Sequence, residues 1–157
     1  MVWRFLLIMV ATIAGDQLVK FWVVRHFDLY QSKVIIPGFF NLTYLTNTGA
    51  AFGILAGRPA LWRNLLFAGI VVLALLVIAI LQYRVGRSSA WYTSAFALVA
   101  GGAVGNLIDR IRLGSVIDFL DFYVGPYHWP AFNVADSAIT VGAALLVILS
   151  VVRSEPE

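Results

Sequence analysis

The sequence predicts an α-helical polytopic membrane protein, with four transmembrane helices and a small extracytoplasmic β-sheet platform. Three observations point there. Of 157 residues, 61% are hydrophobic and 12% are charged, about half the charge of an ordinary soluble domain. In water such a chain would expose more apolar surface than solubility tolerates. Four stretches reach the ~20 largely apolar residues that cross the hydrocarbon core as a helix. The longest connection has, in its middle, the β-branched and aromatic composition of strands. The length and the lack of an internal repeat predict a single domain over residues 1–157. There is no cysteine, which excludes disulfides, thiolate metal sites and thiol catalysis. The net charge of +3 is scattered, and no nucleic-acid footprint is expected.

Taken in order, the first span covers about residues 3–24. Its short apolar run Phe5–Ala14 after Arg4 resembles a signal peptide, but no small-x-small cleavage pattern opens a soluble domain, and three more spans follow. The loop 25–61 carries Val34–Leu45 around a Pro37-Gly38 turn and reads as a strand pair. The segment Asn47–Gly53 is small and turn-prone. The second span, 62–83, has no charge between Leu65 and Leu81. The third, 89–108, follows a tight turn, Arg84–Ser89, with two arginines. A second loop from Arg110 to Val134 carries Phe119, Phe122, Tyr123, Tyr127, Trp129 and Phe132, aromatics suited to the headgroup level. The fourth span covers 135–152. Arg4, Arg84, Arg87 and Arg153 fall on one side; Arg25, Lys33, Arg58 and Arg63 fall on the other with Asp28. The compact Arg84–Ser89 turn breaks this near tie and puts both termini inside.

The polar residues of the spans converge. Asp16 and Lys20 lie in the later half of span one. Asn106, Asp109 and Arg110 lie at the far end of span three, and Asn133, Asp136 and Ser137 at the start of span four. Alternating topology brings all three groups to one depth on the loop side. A carboxylate in a span is costly and needs a partner or a task. Asp16 and Lys20, four residues apart, can neutralise each other on one helix face; alternatively they order a neighbouring loop or a headgroup. Arg110 offers a planar fork to Asp109 or to a phosphate. Gly101, Gly102 and Gly105 make a smooth face for close helix approach.

Asp118 and Asp136 have no cation near them in sequence, Arg112 being the nearest to Asp118. Asp136 also suits a helix N-terminus, with Asn133 as the cap. Two carboxylates meeting at an apolar rim hold one proton between them, the arrangement that activates water against a peptide carbonyl. Asp121 is the weaker alternative to Asp118, a loop residue near water. His26 and His128 stand isolated in the sequence, without metal-site spacing, and Ser137 has no histidine beside it for a serine dyad. No metal or other cofactor is expected. A proton-coupled transporter is the rival from another class, disfavoured by four spans without a repeat. A non-catalytic assembly factor is a third reading.

Five blocks, Asp16-Gln17-Leu18-Val19-Lys20, Asn47-Thr48-Gly49-Ala50-Ala51-Phe52-Gly53, Gly105-Asn106-Leu107-Ile108-Asp109-Arg110, Val116-Ile117-Asp118-Phe119 and Phe132-Asn133-Val134-Ala135-Asp136-Ser137, resemble in order those of the bacterial lipoprotein signal peptidases. The resemblance implies an aspartyl endopeptidase of the inner membrane, with its active site near the extracytoplasmic face. The substrate it implies is a prolipoprotein with a diacylglyceryl-modified cysteine, cut on the amino side of that cysteine. It matches Asp118 and Asp136 to the catalytic pair, and Asp16, Asn47, Asn106, Arg110 and Asn133 to site support or the substrate path. Lys20, Gly102 and Asp109 fall beside them. The β-cradle corresponds to Val34–Leu45 and a small helix to about Ala50–Ala56. Membrane lipids are expected neighbours, and the chain is expected to act as a monomer.

Overall fold

A computed structural model of the chain describes residues 1–49, 55, 57 and 61–152. Four helices are long and apolar enough to cross a membrane: α1 (Val2–His26), α2 (Leu61–Arg84), α3 (Ala90–Leu113) and α4 (Val134–Val152). Their outer faces present large apolar residues, such as Leu65, Leu73 and Ile80 on α2 and Val147 and Ile148 on α4. In lipid such faces are solvated, and helix association rests on close packing.

Helix α3 is the centre of the bundle, with α1, α2 and α4 all packed on it. Its small residues set the approach. A methyl added at Gly101 would stand 2.8 Å from Thr12 Cβ, and one at Gly102 would run into the Ala135 carbonyl oxygen. From the α4 side, a methyl at Gly142 would meet the Ala95 carbonyl at 2.8 Å. Span three runs five residues beyond its expected end at residue 108. It stops at Gly114, whose φ of 75° is left-handed and whose N–H donates to the Arg110 carbonyl at 3.0 Å. That cap, not the run of polar residues before it, ends the helix. Asn106, Asp109 and Arg110 therefore sit on a rigid helix.

The sheet has four antiparallel strands in sequential order: β1 (Ser32–Ile36), β2 (Phe40–Asn47), β3 (Val116–Val124) and β4 (Tyr127–His128). The expected pair around Pro37-Gly38 is β1–β2. Strand β3 corrects the reading of residues 110–134 as a loop. Its alternation is masked because it pairs with β2 on one edge while its first half is buried against the helices. Asp118 lies opposite Leu45, and Asn47 opposite Val116. Val23 of α1 and Phe27, the residue that caps its C-terminus, pack on Ile117 and Phe119 of β3, which fixes the sheet to the bundle. Phe122 stacks between Phe40 and Phe132, with centroids at 4.7 and 5.8 Å. Of the six aromatics expected at the headgroup level, Phe119 is thus buried in the junction, while Tyr127 and Trp129 are exposed. Most of the expected Ala50–Ala56 helix, Arg58 and the tail from Arg153 lie outside the described residues.

Candidate active site

The three polar groups meet where the helices join the sheet. Lys20 is 2% exposed, and its Nζ lies 2.8 Å from Asp16 Oδ2, 2.8 Å from Asp109 Oδ2 and 3.0 Å from Asn106 Oδ1. The two acids also hold backbone. Asp16 Oδ1 accepts from the Ala135 N–H at 2.9 Å, and Asp109 Oδ2 from the Ile117 N–H at 3.2 Å. One ammonium thus joins α1 to α3, and its acids tie α4 and β3 to them. A buried ion pair needs such extra hydrogen bonds to offset its desolvation.

This arrangement corrects one pairing. Asp109 is bound to Lys20 and to Gln17 Nε2 (3.0 Å), whereas Arg110 turns the other way. Arg110 donates to the Gly49 carbonyl at 2.9 Å and lies over the Phe67 ring at 4.6 Å. The i, i+1 step separates the two side chains by about 100° around the helix, so no fork forms between them.

Asparagines connect this ionic cluster to the other two aspartates. Asn106 accepts from Lys20 and donates to Asp136 Oδ1 at 2.7 Å. Asn133 Nδ2 donates to Asp118 Oδ1 at 2.8 Å, to Asn106 Oδ1 at 3.1 Å and to the Ile117 carbonyl at 3.1 Å. Asn133 also caps α4. Its Oδ1 accepts from the Asp136 N–H at 2.9 Å, while Asp136 Oδ2 accepts from the Asn133 N–H at 3.3 Å. This reciprocal capping aims the Asp136 side chain. The helix-terminus reading of Asp136 is thus met, and it is compatible with a place at the candidate site. Asp136 reaches into the site because the capping box holds it there.

Both Asp118 and Asp136 line a cleft of about 760 Å³, with Asn47, Asn106, Arg110 and Ser137 among its walls. The Asp118 carboxyl is pushed up from its ordinary 3.8 to about 7. Burial is the main cause and the nearby Asp136 charge the second; hydrogen bonds from Asn133 and Asn47 and the Lys20 charge oppose them. Asn47 accepts from the Gly49 N–H through Oδ1 at 2.9 Å, which leaves its amide NH2 as the end that donates to Asp118.

The family model for Signal peptidase (SPase) II matches residues 8–152. The chain belongs to the signal peptidase II family. A lipoprotein signal peptidase of Syntrophus aciditrophicus (strain SB) is 52% identical over 135 residues, which is 85% of this chain and 83% of the relative. That of Desulforapulum autotrophicum is 44% identical over 154 residues, 98% and 95% of the two chains. A solved structure titled as a bacterial membrane enzyme determined by the in meso method superposes with a TM-score of 0.87 at 31% identity, covering 98% of this chain and 92% of that one. As a signal peptidase II the chain is a polytopic membrane peptidase, with the four spans and small sheet its sequence predicts.

Not every residue matched to the signal peptidase II motifs reaches the cleft. Asp16, Lys20, Asp109 and Asn133 stand behind its wall, and Gly102 is a helix-packing position against Ala135. Asp121 lies on β3, not in a loop, where Asn41 Nδ2 donates to it at 2.9 Å. His128 is not isolated, since its Nδ1 lies 2.7 Å from Asp121 Oδ1 and its ring stacks on Tyr123. Ser137 donates its hydroxyl to the Asn133 carbonyl at 2.9 Å. Sequence reasoning missed the wall formed by Trp129–Phe132 and by Ile139 and Thr140. For the latter two a signal existed, because positions three and four after Asp136 share its helix face.

Proposed function

We propose that this peptidase uses Asp118 and Asp136 to hydrolyse the peptide bond on the amino side of a diacylglyceryl-modified cysteine in prolipoproteins. The observation that carries this reading is the meeting of the two carboxylates on one cleft at the rim of the bundle, where burial and the Asp136 charge push the Asp118 carboxyl up to about 7. With one proton between them, the ionised member takes a proton from water as the oxygen attacks the scissile carbonyl. The protonated member donates to the carbonyl oxygen, and proton return to the leaving amine completes hydrolysis. The proton belongs to the coupled pair, not to one aspartate.

The surrounding amides hold the pair in place. Asn133 and Asn47 bond Asp118, and Asn106 bonds Asp136, so neither carboxylate has to reorganise during the reaction. An apolar opening beside the site suits a substrate whose acyl chains remain in the bilayer. Lipid then supplies part of the orientation that a soluble protease must build for itself.

The cleft faces the extracytoplasmic side of the inner membrane in this reading. Arg4, Arg84 and Arg87 at the opposite end of the bundle support it. A single chain supplies both carboxylates and their donors, which supports action as a monomer. The test is incubation of purified protein with a synthetic lipidated precursor and its unlipidated twin. Cleavage of the lipidated peptide alone is expected; no cleavage of either, or equal cleavage of both, overturns the reading.

A further inference from the structure

A second cleft opens at the other end of the molecule. Helices α1 and α2 both pack on α3 and leave between them a space of about 390 Å³. Its walls are Phe5 and Met9 of α1 and Leu75, Ile78 and Ala79 of α2, with Ala100 of α3 as the floor. The mouth is different in kind. Gln82 and Tyr83 line it, and Arg87 is held there with its guanidinium 4.4 Å above the Tyr83 ring.

Two more arginines stand at this end. Arg84 closes α2, and Arg4 donates to Ser94 Oγ at 3.1 Å in the first turns of α3. Among the described residues no carboxylate opposes them. Asp16, the first acid on α1, is about 18 Å further along the helix than Arg4. The slot is thus hydrocarbon-lined along its length, and cationic at its mouth.

We propose that this cleft binds an anionic glycerophospholipid of the leaflet opposite the active-site cleft. One acyl chain lies between α1 and α2, and the phosphodiester sits at Arg87, with Arg84 and Arg4 adding positive charge at the same end of the bundle. Basic pockets between membrane helices select anionic headgroups in this way. A second copy of the chain is a poorer occupant, since it would present arginines to arginines. The site is separate from the carboxylate cleft, so its failure leaves the peptidase reading untouched.

The test is native mass spectrometry of the delipidated full chain after addition of phosphatidylglycerol or phosphatidylcholine with identical acyl chains. The wild type is expected to retain phosphatidylglycerol at least about tenfold more than phosphatidylcholine. Arg87→Gln should lower that preference by about fivefold, the worth of one arginine near an anionic headgroup. Ala79→Phe, an exposed position, fills the slot and should reduce retention of both lipids. Equal retention of the two lipids by the wild type, or unchanged selectivity in Arg87→Gln, overturns the proposal. Displacement of bound phosphatidylglycerol by free glycerol phosphate would also overturn it, because the acyl slot would then contribute nothing.

Discussion

Two pairs of aspartates lie within one hydrogen-bonded network and are held in different ways. Asp16 and Asp109 share the Lys20 ammonium at 2.8 Å each, and both fasten a backbone N–H. They are 0% and 2% exposed, behind the cleft wall. Asp118 and Asp136 receive amide donors instead, from Asn133, Asn47 and Asn106, and both line the cleft. A cation at contact distance binds the first pair and makes it a fastening. Neutral donors position the second pair and leave a proton to share. Asn106 belongs to both pairs, accepting from Lys20 through Oδ1 and donating to Asp136 through Nδ2.

The sharpest way to break this comparison is to neutralise each member of the second pair. Asp118→Asn and Asp136→Asn should each lower cleavage of a lipidated precursor by at least about a hundredfold, within the range general acid–base groups supply. Both variants should still fold in detergent and unfold in one cooperative thermal transition. The first pair should respond in the opposite sense. Lys20→Met leaves Asp16 and Asp109 buried without their cation, a loss of about 3–5 kcal/mol, to be read as a large fall in Tm or in the yield of folded protein.

Protonation sharpens the contrast. Asp118 binds its proton up to about 7 in the folded chain against an ordinary 3.8, so its contribution to stability is full below about 4 and is lost as pH rises towards 7. Asp118→Asn should flatten that part of a Tm–pH curve. Cleavage should fall as pH rises through about 7, when the pair loses its shared proton. Asn47→Ala removes a hydrogen bond that favours ionised Asp118, and should move this alkaline limb to higher pH. The smallest effect belongs to Asp121→Asn. That residue sits three positions along the same strand but bonds Asn41 and His128, and cleavage should change by less than about twofold.

Much of this was legible in the sequence. Length and apolarity located all four spans to within a few residues, save the far end of α3. Alternating topology alone brought Asp16, Asn106 and Asp136 to one depth. Strand β3 was hidden because its buried first half gives no alternation, and its aromatics, read as headgroup-level residues, include Phe119 of the helix–sheet core. The partner of Asp109 could not be found locally, because Arg110 is adjacent in sequence while Lys20 approaches from another helix. The dual use of Asn133, as helix cap and as donor to Asp118, needs the fold of β3 against α4.

The central claim is one proton held by Asp118 and Asp136 together until near neutrality. An infrared pH titration of the purified protein, following the carboxylic-acid carbonyl stretch, tests it most directly. The account predicts a protonated carboxyl that persists from pH 5 to about 7 in the wild type, and the loss of the ionisation step near 7 in Asp118→Asn. Complete ionisation of every carboxyl group by pH 5 in the wild type would contradict it.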